Sequence, residues 1–209
     1  MNKVFITGVS GLLGRALSEI FLENDFFVYG QYYRNQPNKR QNAKWLRGDF
    51  SSLEKINNFL VRNQRDLIVC EFLINNYGPI SVKNISDLTA EDYCHDYFHN
   101  VSSAIEITRF LIHRARLRSV INIGFEHVGK MMAYKKVLPY AIAKNALLLI
   151  TKSLAADYPD IRFNLVSPVS MTGAAEVLKK SRPVPPRKVA EEIYKIMLGS
   201  RSGMNRMIK

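Results

Sequence analysis

The chain has 209 residues, 47% of them hydrophobic, which is the size of one α/β domain with a substantial core. No apolar stretch reaches the ~18 residues of a membrane-spanning helix, and two cysteines are too few for a disulfide scaffold. The formal net charge of +12 comes from lysines and arginines spread along the chain without a nucleic-acid-binding motif. We therefore expect a basic surface and no specific nucleic-acid partner.

Signals for targeting and for metal binding are weak. The first apolar run begins at Lys3, so we expect no signal peptide. Free cysteines fit a reducing compartment, and a cytoplasmic protein is expected. His95 and His99 are four residues apart, but no third ligand accompanies them, so no metal site is predicted.

The first predicted elements are a strand, a glycine-rich turn and a helix. Residues 3–7 form an apolar run typical of a buried parallel strand, and helix-like sequence extends from Leu12 to Asn24. Gly8 permits a tight turn, Gly11 lets backbone N–H groups approach a pyrophosphate, and Gly14 lets the helix pack closely on the strand. The helix N-terminus attracts phosphate charge. The pattern predicts a dinucleotide site, and a purely structural turn is the alternative.

The second predicted strand, residues 26–32, leads into Tyr33, Arg34 and Asn35. An NAD site usually has an acidic residue here to bind the ribose 2′-hydroxyl, whereas an arginine accommodates the 2′-phosphate of NADP. No acidic residue lies between Asp25 and Asp49. Arg34 is therefore the leading candidate for a 2′-phosphate ligand, with possible help from Arg15; a solvated loop arginine is the alternative.

Later parts of the chain repeat the alternation of strand and helix. Apolar runs at 67–74, 119–123 and 161–166 are separated by helix-like stretches, and residues 188–198 and 204–209 read as a last helix and a last strand. This alternation predicts a doubly wound parallel sheet in a three-layer α/β/α Rossmann fold. No linker or repeat interrupts residues 1–209, which we interpret as one NAD(P)-binding domain.

The stretch 139–158 reads as a helix that carries Tyr140 and Lys144 on one face, because the two residues are four positions apart. A cation close to a phenol favours the phenolate and is expected to lower the pKa of Tyr140 from its usual value. Such a tyrosine can donate a proton to a carbonyl oxygen or accept one from an alcohol. An amphipathic helix with a surface lysine is the alternative.

Together these motifs resemble the short-chain dehydrogenase/reductase family over nearly the whole chain. Thr7-Gly8-x-x-Gly11-x-x-Gly14 is similar to the cofactor loop of its extended or atypical members, and Asn75-Asn76-Tyr77-Gly78 is similar to its Asn-Asn-Ala-Gly motif. The Tyr33-Arg34-Asn35 segment is similar to that of NADPH-dependent pteridine reductases. The resemblance implies the following cofactor contacts: Thr7, Gly8, Ser10, Gly11, Leu12, Leu13, Gly14, Tyr33, Arg34, Asn35, Asp49, Phe50, Asn76, Tyr77, Gly78, Tyr140, Lys144, Pro168 and Thr172.

The resemblance also implies an active site. Tyr140 and Lys144 match the family's catalytic pair, and Asn100 occupies the place of the asparagine that holds a proton-relay water. The usual serine is missing: counting forward from Asn122 gives Phe125, and counting back from Tyr140 gives His127. His127 or Glu126 could replace the serine if the loop folds inward, and an exposed loop residue is the alternative for His127.

The combined prediction is an NADP(H)-dependent oxidoreductase that interconverts a carbonyl and an alcohol, with NAD as the alternative cofactor. Two alternatives stay open: a non-catalytic NADP-binding redox sensor or regulatory protein, and a nucleotide-sugar-type epimerase or dehydratase. The segment 171–186 is short for a substrate-covering lid, which predicts an open site or a lid from a partner subunit. Helices near 95–117 and 139–158 have surplus apolar residues, so we expect a homodimer or homotetramer.

Overall fold

The structure, a computed structural model, describes residues 1–130, 132–171 and 183–209. Its strands are β1 (Lys3–Ile6), β2 (Phe27–Tyr32), β3 (Ala43–Arg47), β4 (Phe72–Asn75), β5 (Ser119–Ile123), β6 (Arg162–Pro168) and β7 (Asn205–Ile208). All are parallel and form one sheet in the order β3-β2-β1-β4-β5-β6-β7. The order in which strands are added to the sheet changes direction between β1 and β4, which is the switch point of a doubly wound Rossmann fold and confirms the predicted fold class.

The helices cover both faces of this sheet. They are α1 (Leu12–Glu23), α2 (Leu53–Arg62), α3 (Gln64–Leu67), α4 (Ala90–Tyr97), α5 (Ser103–Ile112), α6 (Leu138–Asp157) and α7 (Pro186–Leu198). A 3₁₀ turn covers Ile85–Asp87, and a π-helical segment, Phe98–Ser102, joins α4 to α5. Thr89 and Asp92 form a capping box that starts α4, and Pro139 suits the first turn of α6.

Two apolar layers separate the helices from the sheet. On one face α1 and α7 pack on the sheet through side chains such as Leu17, Phe21 and Ile193, all fully buried. On the other face α2, α5 and α6 contribute residues such as Phe59 and Leu147. Both faces of the central strands are therefore covered, which explains why their sequences are continuous apolar runs.

Buried amides fix the position of α6 relative to the sheet. Asn75 Nδ2 on β4 donates to Asn122 Oδ1 on β5 at 2.8 Å and to Thr108 Oγ1 on α5 at 3.0 Å. Asn122 Nδ2 in turn donates to Thr151 Oγ1 on α6 at 2.9 Å. Because a buried polar group without its partner is costly, this chain of hydrogen bonds constrains where α6 lies against β5.

Some predicted boundaries need correction. The apolar run 67–74 is not one strand: β4 comprises only Phe72–Asn75, and α3 occupies Gln64–Leu67. Leu67 and Cys70 are apolar because they are fully buried in the core beside the sheet, not because they are in a strand. The edge strand β3 had no apolar run to mark it, because several of its side chains are exposed. Within the described ranges, no helix is both long and apolar enough to cross a bilayer.

The glycine turn supplies a stability prediction with a matched control. A Cβ at Gly14 would lie 2.2 Å from the Gly8 carbonyl oxygen and 2.7 Å from Val9 Cα, whereas a Cβ at Gly11 would meet only the Gly8 oxygen at 3.3 Å. Backbone atoms at such distances must move, so Gly14→Ala should cost about 1–3 kcal/mol of unfolding free energy. Gly11→Ala should unfold close to the wild-type temperature. Equal thermal stability of the two variants in calorimetry would contradict this packing role of Gly14.

Candidate active site

A cavity of about 870 Å³ opens at the carboxyl edge of the sheet, between the ends of β1, β4, β5 and β6. Parallel strands all end at this edge, so residues far apart in sequence meet there. The cavity wall includes most of the predicted site residues: Gly8, Ser10, Gly11, Leu12, Leu13, Tyr33, Asn76, Tyr77, Gly78, His127, Tyr140, Lys144 and Pro168. Thr172 lies outside the described residues.

Hydrogen bonds lock the ends of β1 and β4 together at one end of the cavity. Thr7 Oγ1 accepts from the N–H groups of Asn76, at 3.0 Å, and Tyr77, at 2.9 Å. Asn76 Nδ2 donates to the carbonyls of Thr7 and Gly8 at 3.0 and 3.1 Å. Gly8 has a φ of +67°, the left-handed region that favours glycine. Thr7 thus supports the glycine turn from behind the cavity wall.

The N-terminus of α1 faces this cavity without a side-chain cap. Its N-cap residue is Gly11, which offers no hydrogen bond to the first turn, and Leu12 beside it is exposed. Unsatisfied N–H groups at a helix N-terminus suit a pyrophosphate. Together with the left-handed turn at Gly8, these groups fit the phosphates of a dinucleotide.

Asp49 and Phe50 do not line the cavity; they lie behind it. Asp49 Oδ2 accepts from Lys55 Nζ at 2.7 Å and Oδ1 accepts from the Ser51 N–H at 2.9 Å. The hydrogen bond from Lys55 holds the pKa of Asp49 below its usual value. Phe50 is buried and packs edge-on against Tyr77, with ring centroids 5.5 Å apart. The predicted contact of Asp49 with an adenine therefore stays a prediction, and this carboxylate already has a cationic partner.

A smaller cavity of about 260 Å³ adjoins the first at Ser10. Arg15, Asn35, Arg40 and Glu19 are among its lining residues. Arg15 Nε donates to the Ser10 carbonyl at 3.0 Å, so the glycine turn holds this guanidinium in place. With two arginines against one glutamate, the lining carries a net positive charge.

Arg34, the arginine selected from the sequence, lines neither cavity. Its guanidinium carbon lies 5.4 Å from the centroid of the exposed Tyr33 ring. Sequence reasoning did not single out Arg40, because the loop after Asn35 must fold back before residue 40 reaches the glycine turn. Because Arg34 lines neither cavity, Arg15 and Arg40 are better placed than Arg34 to contact a phosphate beside the glycine turn.

Tyr140 and Lys144 meet at the opposite end of the main cavity. Lys144 is 3% exposed, and its Nζ donates to the Ile123 carbonyl at the end of β5 at 2.6 Å. Nζ also lies 5.4 Å from the Tyr140 ring centroid. Both side chains line the cavity, so a group bound there can reach the phenol and the amine together.

Burial controls the protonation of both residues. Desolvation lowers the pKa of Lys144 to about 7, and the negative charge of Asp96 opposes this effect. Desolvation, followed by the same Asp96 charge, raises the pKa of Tyr140 well above its usual value. The expectation that Lys144 lowers the pKa of Tyr140 is therefore wrong for the protein alone, because loss of hydration dominates at both groups.

Asn100 lies in the π-helical segment, immediately behind Gly78. Its Nδ2 donates to the carbonyls of Pro79 and Asp96, both at 3.0 Å. Its Oδ1 is buried and has no partner among the described residues. A Cβ at Gly78 would lie 2.3 Å from that oxygen and 3.3 Å from Lys144 Nζ, so only glycine fits between them. The free acceptor next to the amine can hold a water molecule.

The loop after β5 folds inward over the active-site tyrosine. Phe125 packs edge-on against Tyr140, with ring centroids 5.5 Å apart, and Glu126 and His127 also line the cavity. Tyr134 secures this loop by donating to the carbonyl of His127 at 3.0 Å. His127 Nδ1 is buried with no partner among the described residues. His127 is thus part of the site wall, and its catalytic role stays a prediction.

Comparison with known proteins agrees with this geometry. A family model described as enoyl-(acyl carrier protein) reductase matches residues 13–196. The chain belongs to the short-chain dehydrogenase/reductase family. This membership confirms the family that the sequence motifs resembled.

Curated relatives in this family are named as oxidoreductases. An uncharacterised oxidoreductase of Thermotoga maritima is 28% identical over 145 residues, which cover 66% of this chain and 55% of the relative. The oxidoreductase UcpA of Escherichia coli K12 is 28% identical over 131 residues, 60% of this chain and 50% of the relative. The chain thus spans about half the length of the curated relatives it matches.

Solved structures in the family share the fold. A short-chain dehydrogenase family protein from Francisella tularensis matches with a TM-score of 0.84 at 22% identity, covering 100% of this chain and 97% of the other. A 4-hydroxyisoleucine dehydrogenase complexed with NADH matches with a TM-score of 0.87 at 19% identity and the same coverages. At these identities the likeness concerns the fold.

Two features of this short-chain dehydrogenase/reductase family member were not found from its sequence. One is the second cavity with Arg40, and the other is Asp96, a fully buried carboxylate one helical turn before Asn100. The sequence signal for Asp96 was weak, since it was only a polar residue on the helical stretch that also carries Asn100. In the part of the chain that the structure describes, no three metal-ligating side chains converge.

Proposed function

We propose that this protein is an NADP(H)-dependent oxidoreductase that interconverts a carbonyl and an alcohol. The observation that carries the proposal is the convergence, in one cavity, of a glycine turn with an uncapped helix N-terminus, a half-buried tyrosine and a buried lysine. In this proposal the glycine turn and the helix N-terminus bind a dinucleotide, and Tyr140 and Lys144 perform proton transfer. Family membership makes a nicotinamide cofactor the natural occupant.

Each active-site residue has a separate role in the proposal. Bound nicotinamide supplies or accepts the hydride. Tyr140 donates its phenolic proton to the substrate oxygen during reduction and accepts it during oxidation. A protonated Lys144 stabilises the resulting phenolate, and it can donate to a ribose hydroxyl because Lys144 lines the cavity. Asn100 Oδ1 holds a water that returns the proton toward Lys144.

The preference for NADP over NAD rests on the second cavity. Arg15 and Arg40 face a space that adjoins the glycine turn at Ser10, where a phosphate would gain two guanidinium partners. Arg34, near the end of β2, is the competing candidate. All three arginines are exposed, and we favour Arg15 and Arg40 because both line this cavity, whereas Arg34 lines neither cavity.

A redox sensor that binds NADP without turnover is the second candidate. It is favoured by Phe125, which cannot hydrogen-bond a carbonyl and which packs against Tyr140 where the serine was expected. Glu126 and His127 line the same wall and offer polar atoms that the serine would otherwise supply. The enzyme is the better-supported reading, because a sensor would not require a buried amine beside the phenol.

We also propose a small-molecule substrate and no specific nucleic-acid partner. Several basic side chains already have acidic partners, among them Lys44 with Asp66 and Arg187 with Glu23. The free thiols of Cys70 and Cys94 suit the reducing cytoplasm in which we propose that the protein works.

A homodimer or homotetramer is proposed through the outer face of α4, α5 and α6. Part of the apolar surplus of these helices is buried within the subunit, as at Leu111, Leu147 and Leu148. Two apolar residues of α6 are exposed instead: Leu149, 68% exposed, and Ile142, 47% exposed, which are seven positions apart. Residues at this spacing share a helix face, which a second copy would cover in a closed two-fold dimer.

Tyr140→Phe should reduce turnover at least 100-fold, because it removes the proton donor, yet change NADPH affinity by less than about threefold. The assay is NADPH oxidation against a panel of ketones, aldehydes and pteridines. Tyr158→Phe, which removes a hydroxyl at the far end of α6 outside both cavities, is the matched control and should stay active. An active Tyr140→Phe enzyme would refute the mechanism. Wild-type protein that binds NADPH but reduces no carbonyl would favour the sensor.

Arg40→Gln and Arg15→Gln should each weaken NADPH binding by roughly tenfold or more and leave NADH binding nearly unchanged, because each removes a charge-assisted contact to the 2′-phosphate. Calorimetric titration of both nucleotides measures the effect. Arg34→Gln is the comparison variant and should change the NADPH/NADH ratio least. If Arg34→Gln alone abolishes the preference, the phosphate ligand is Arg34.

Leu149→Glu should convert the oligomer into a monomer of about 23.9 kDa, because it places a charge on the face that a second copy would cover. Light scattering at micromolar concentration measures the mass. Val61→Glu, at an equally exposed apolar position on α2, should leave the mass unchanged. Monomeric wild-type protein would exclude this interface.

A further inference from the structure

Asp96 is a fully buried carboxylate in α4, with no exposed surface. Its Oδ1 accepts from Ser81 Oγ at 2.6 Å and lies 3.1 Å from His95 Nδ1, and its Oδ2 accepts weakly from the Ser81 N–H at 3.4 Å. Carboxylates are almost never fully buried unless they are paired. Among the described residues, the only ion-pair partner within 4 Å of Asp96 is His95, which is charged only when protonated.

Asp96 lies close behind the active site. Its main-chain carbonyl accepts from Asn100 Nδ2 at 3.0 Å, and α4 packs against α6, which carries Tyr140 and Lys144. Lys144 is a buried amine, and its hydrogen bond goes to the neutral Ile123 carbonyl, not to a carboxylate. Within the described residues, no carboxylate lies within 4 Å of Lys144 Nζ. A buried anion and a buried cation thus occupy neighbouring helices without direct contact.

We propose that Asp96 is a positioning residue for the reaction: it is the buried counter-charge that keeps Lys144 cationic at neutral pH. This inference rests on the proposed oxidoreductase function for its purpose, but the electrostatic pairing can be measured without turnover. The asparagine and lysine belong to motifs that the sequence resembles, whereas a carboxylate at this position belongs to none of them.

The proposed chemistry depends on the charge of Lys144. With NADPH bound, reduction would transfer a hydride to the carbonyl carbon and the Tyr140 proton to the carbonyl oxygen, and it would leave NADP⁺, an alcohol and a phenolate. One proton from solvent then restores the phenol, so the reaction consumes one proton overall. A cationic Lys144 stabilises the phenolate in between, whereas a neutral amine does not. Burial lowers the pKa of Lys144 and the Asp96 charge raises it, so Asp96 opposes the loss of the cation.

The surroundings of Asp96 decide how pH affects this pairing. His95 and His99 lie on the same helical stretch with ring centroids 4.3 Å apart, and His99 Nδ1 lies 2.8 Å from the Tyr77 hydroxyl. Burial lowers the pKa of His99. Four further titratable or charged groups face this region: Lys83 and Asp92, which form an ion pair, together with Tyr140 and Lys144. The His95 side chain, which lies 3.1 Å from Asp96, is 49% exposed and so is in contact with solvent.

The test is a titration of Lys144 in the cofactor-free protein by NMR of ¹³Cε-labelled lysine. The Lys144 signal is assigned by its loss in Lys144→Met. Asp96→Asn keeps the shape and the acceptor for Ser81 but removes the charge, so the Lys144 midpoint should fall by about one pH unit or more. Ser81→Ala removes the hydrogen bond and keeps the charge, and it should shift the midpoint much less.

An unchanged Lys144 midpoint in folded Asp96→Asn protein would overturn the proposal. If Asp96→Asn does not fold, Asp96→Leu gives the same test, since apolar replacements of buried charges are often tolerated. The alkaline limb of kcat for carbonyl reduction should move to lower pH by the same amount. A shifted NMR midpoint in a protein without turnover would support the pairing and count against the proposed function alone. An active enzyme whose Lys144 midpoint is unchanged in Asp96→Asn would support the proposed function and count against the pairing.

Discussion

The ammonium of Lys144 lies almost out of contact with water at the carboxyl end of β5, with the Ile123 carbonyl as its acceptor at 2.6 Å. Desolvation makes this group titrate near neutral pH, where proton transfer is most useful to an enzyme. Three neighbouring residues accommodate this buried amine. Gly78 leaves room for it, Asn100 offers a free oxygen beside it, and Asp96 supplies negative charge behind it.

The parallel sheet is what brings these groups together. Thr7, Asn76 and Ile123 follow or end three strands that are neighbours in space, and the hydrogen bonds of Thr7 and Asn76 fasten two of those ends to each other. Lys144 joins them because buried amides tie β4 to β5 and β5 to α6. The buried hydrogen bonds of the core therefore fix the positions of the site residues. A loop contributes Phe125 and His127, and Tyr134 holds that loop inward.

Patterns local in sequence predicted most of this arrangement. The glycine turn, the alternation of apolar runs and the Tyr140–Lys144 spacing identified the fold, the family and the cavity wall, because each depends on neighbours along the chain. Properties that depend on folding were not predictable. The pKa direction of Tyr140 was wrong because burial was unknown, the partner of Asp49 was unknown, and Arg40 reaches the glycine turn only through the path of its loop.

A crystal structure of the protein with NADPH would show whether the cavity at the carboxyl edge of the sheet is the cofactor site. We expect the nicotinamide ribose within hydrogen-bond distance of the Tyr140 hydroxyl and Lys144 Nζ, with the pyrophosphate at the N-terminus of α1. We also expect the 2′-phosphate between Arg15 and Arg40. A nucleotide bound with its nicotinamide end away from Tyr140, or bound outside this cavity, would exclude the proposed active site.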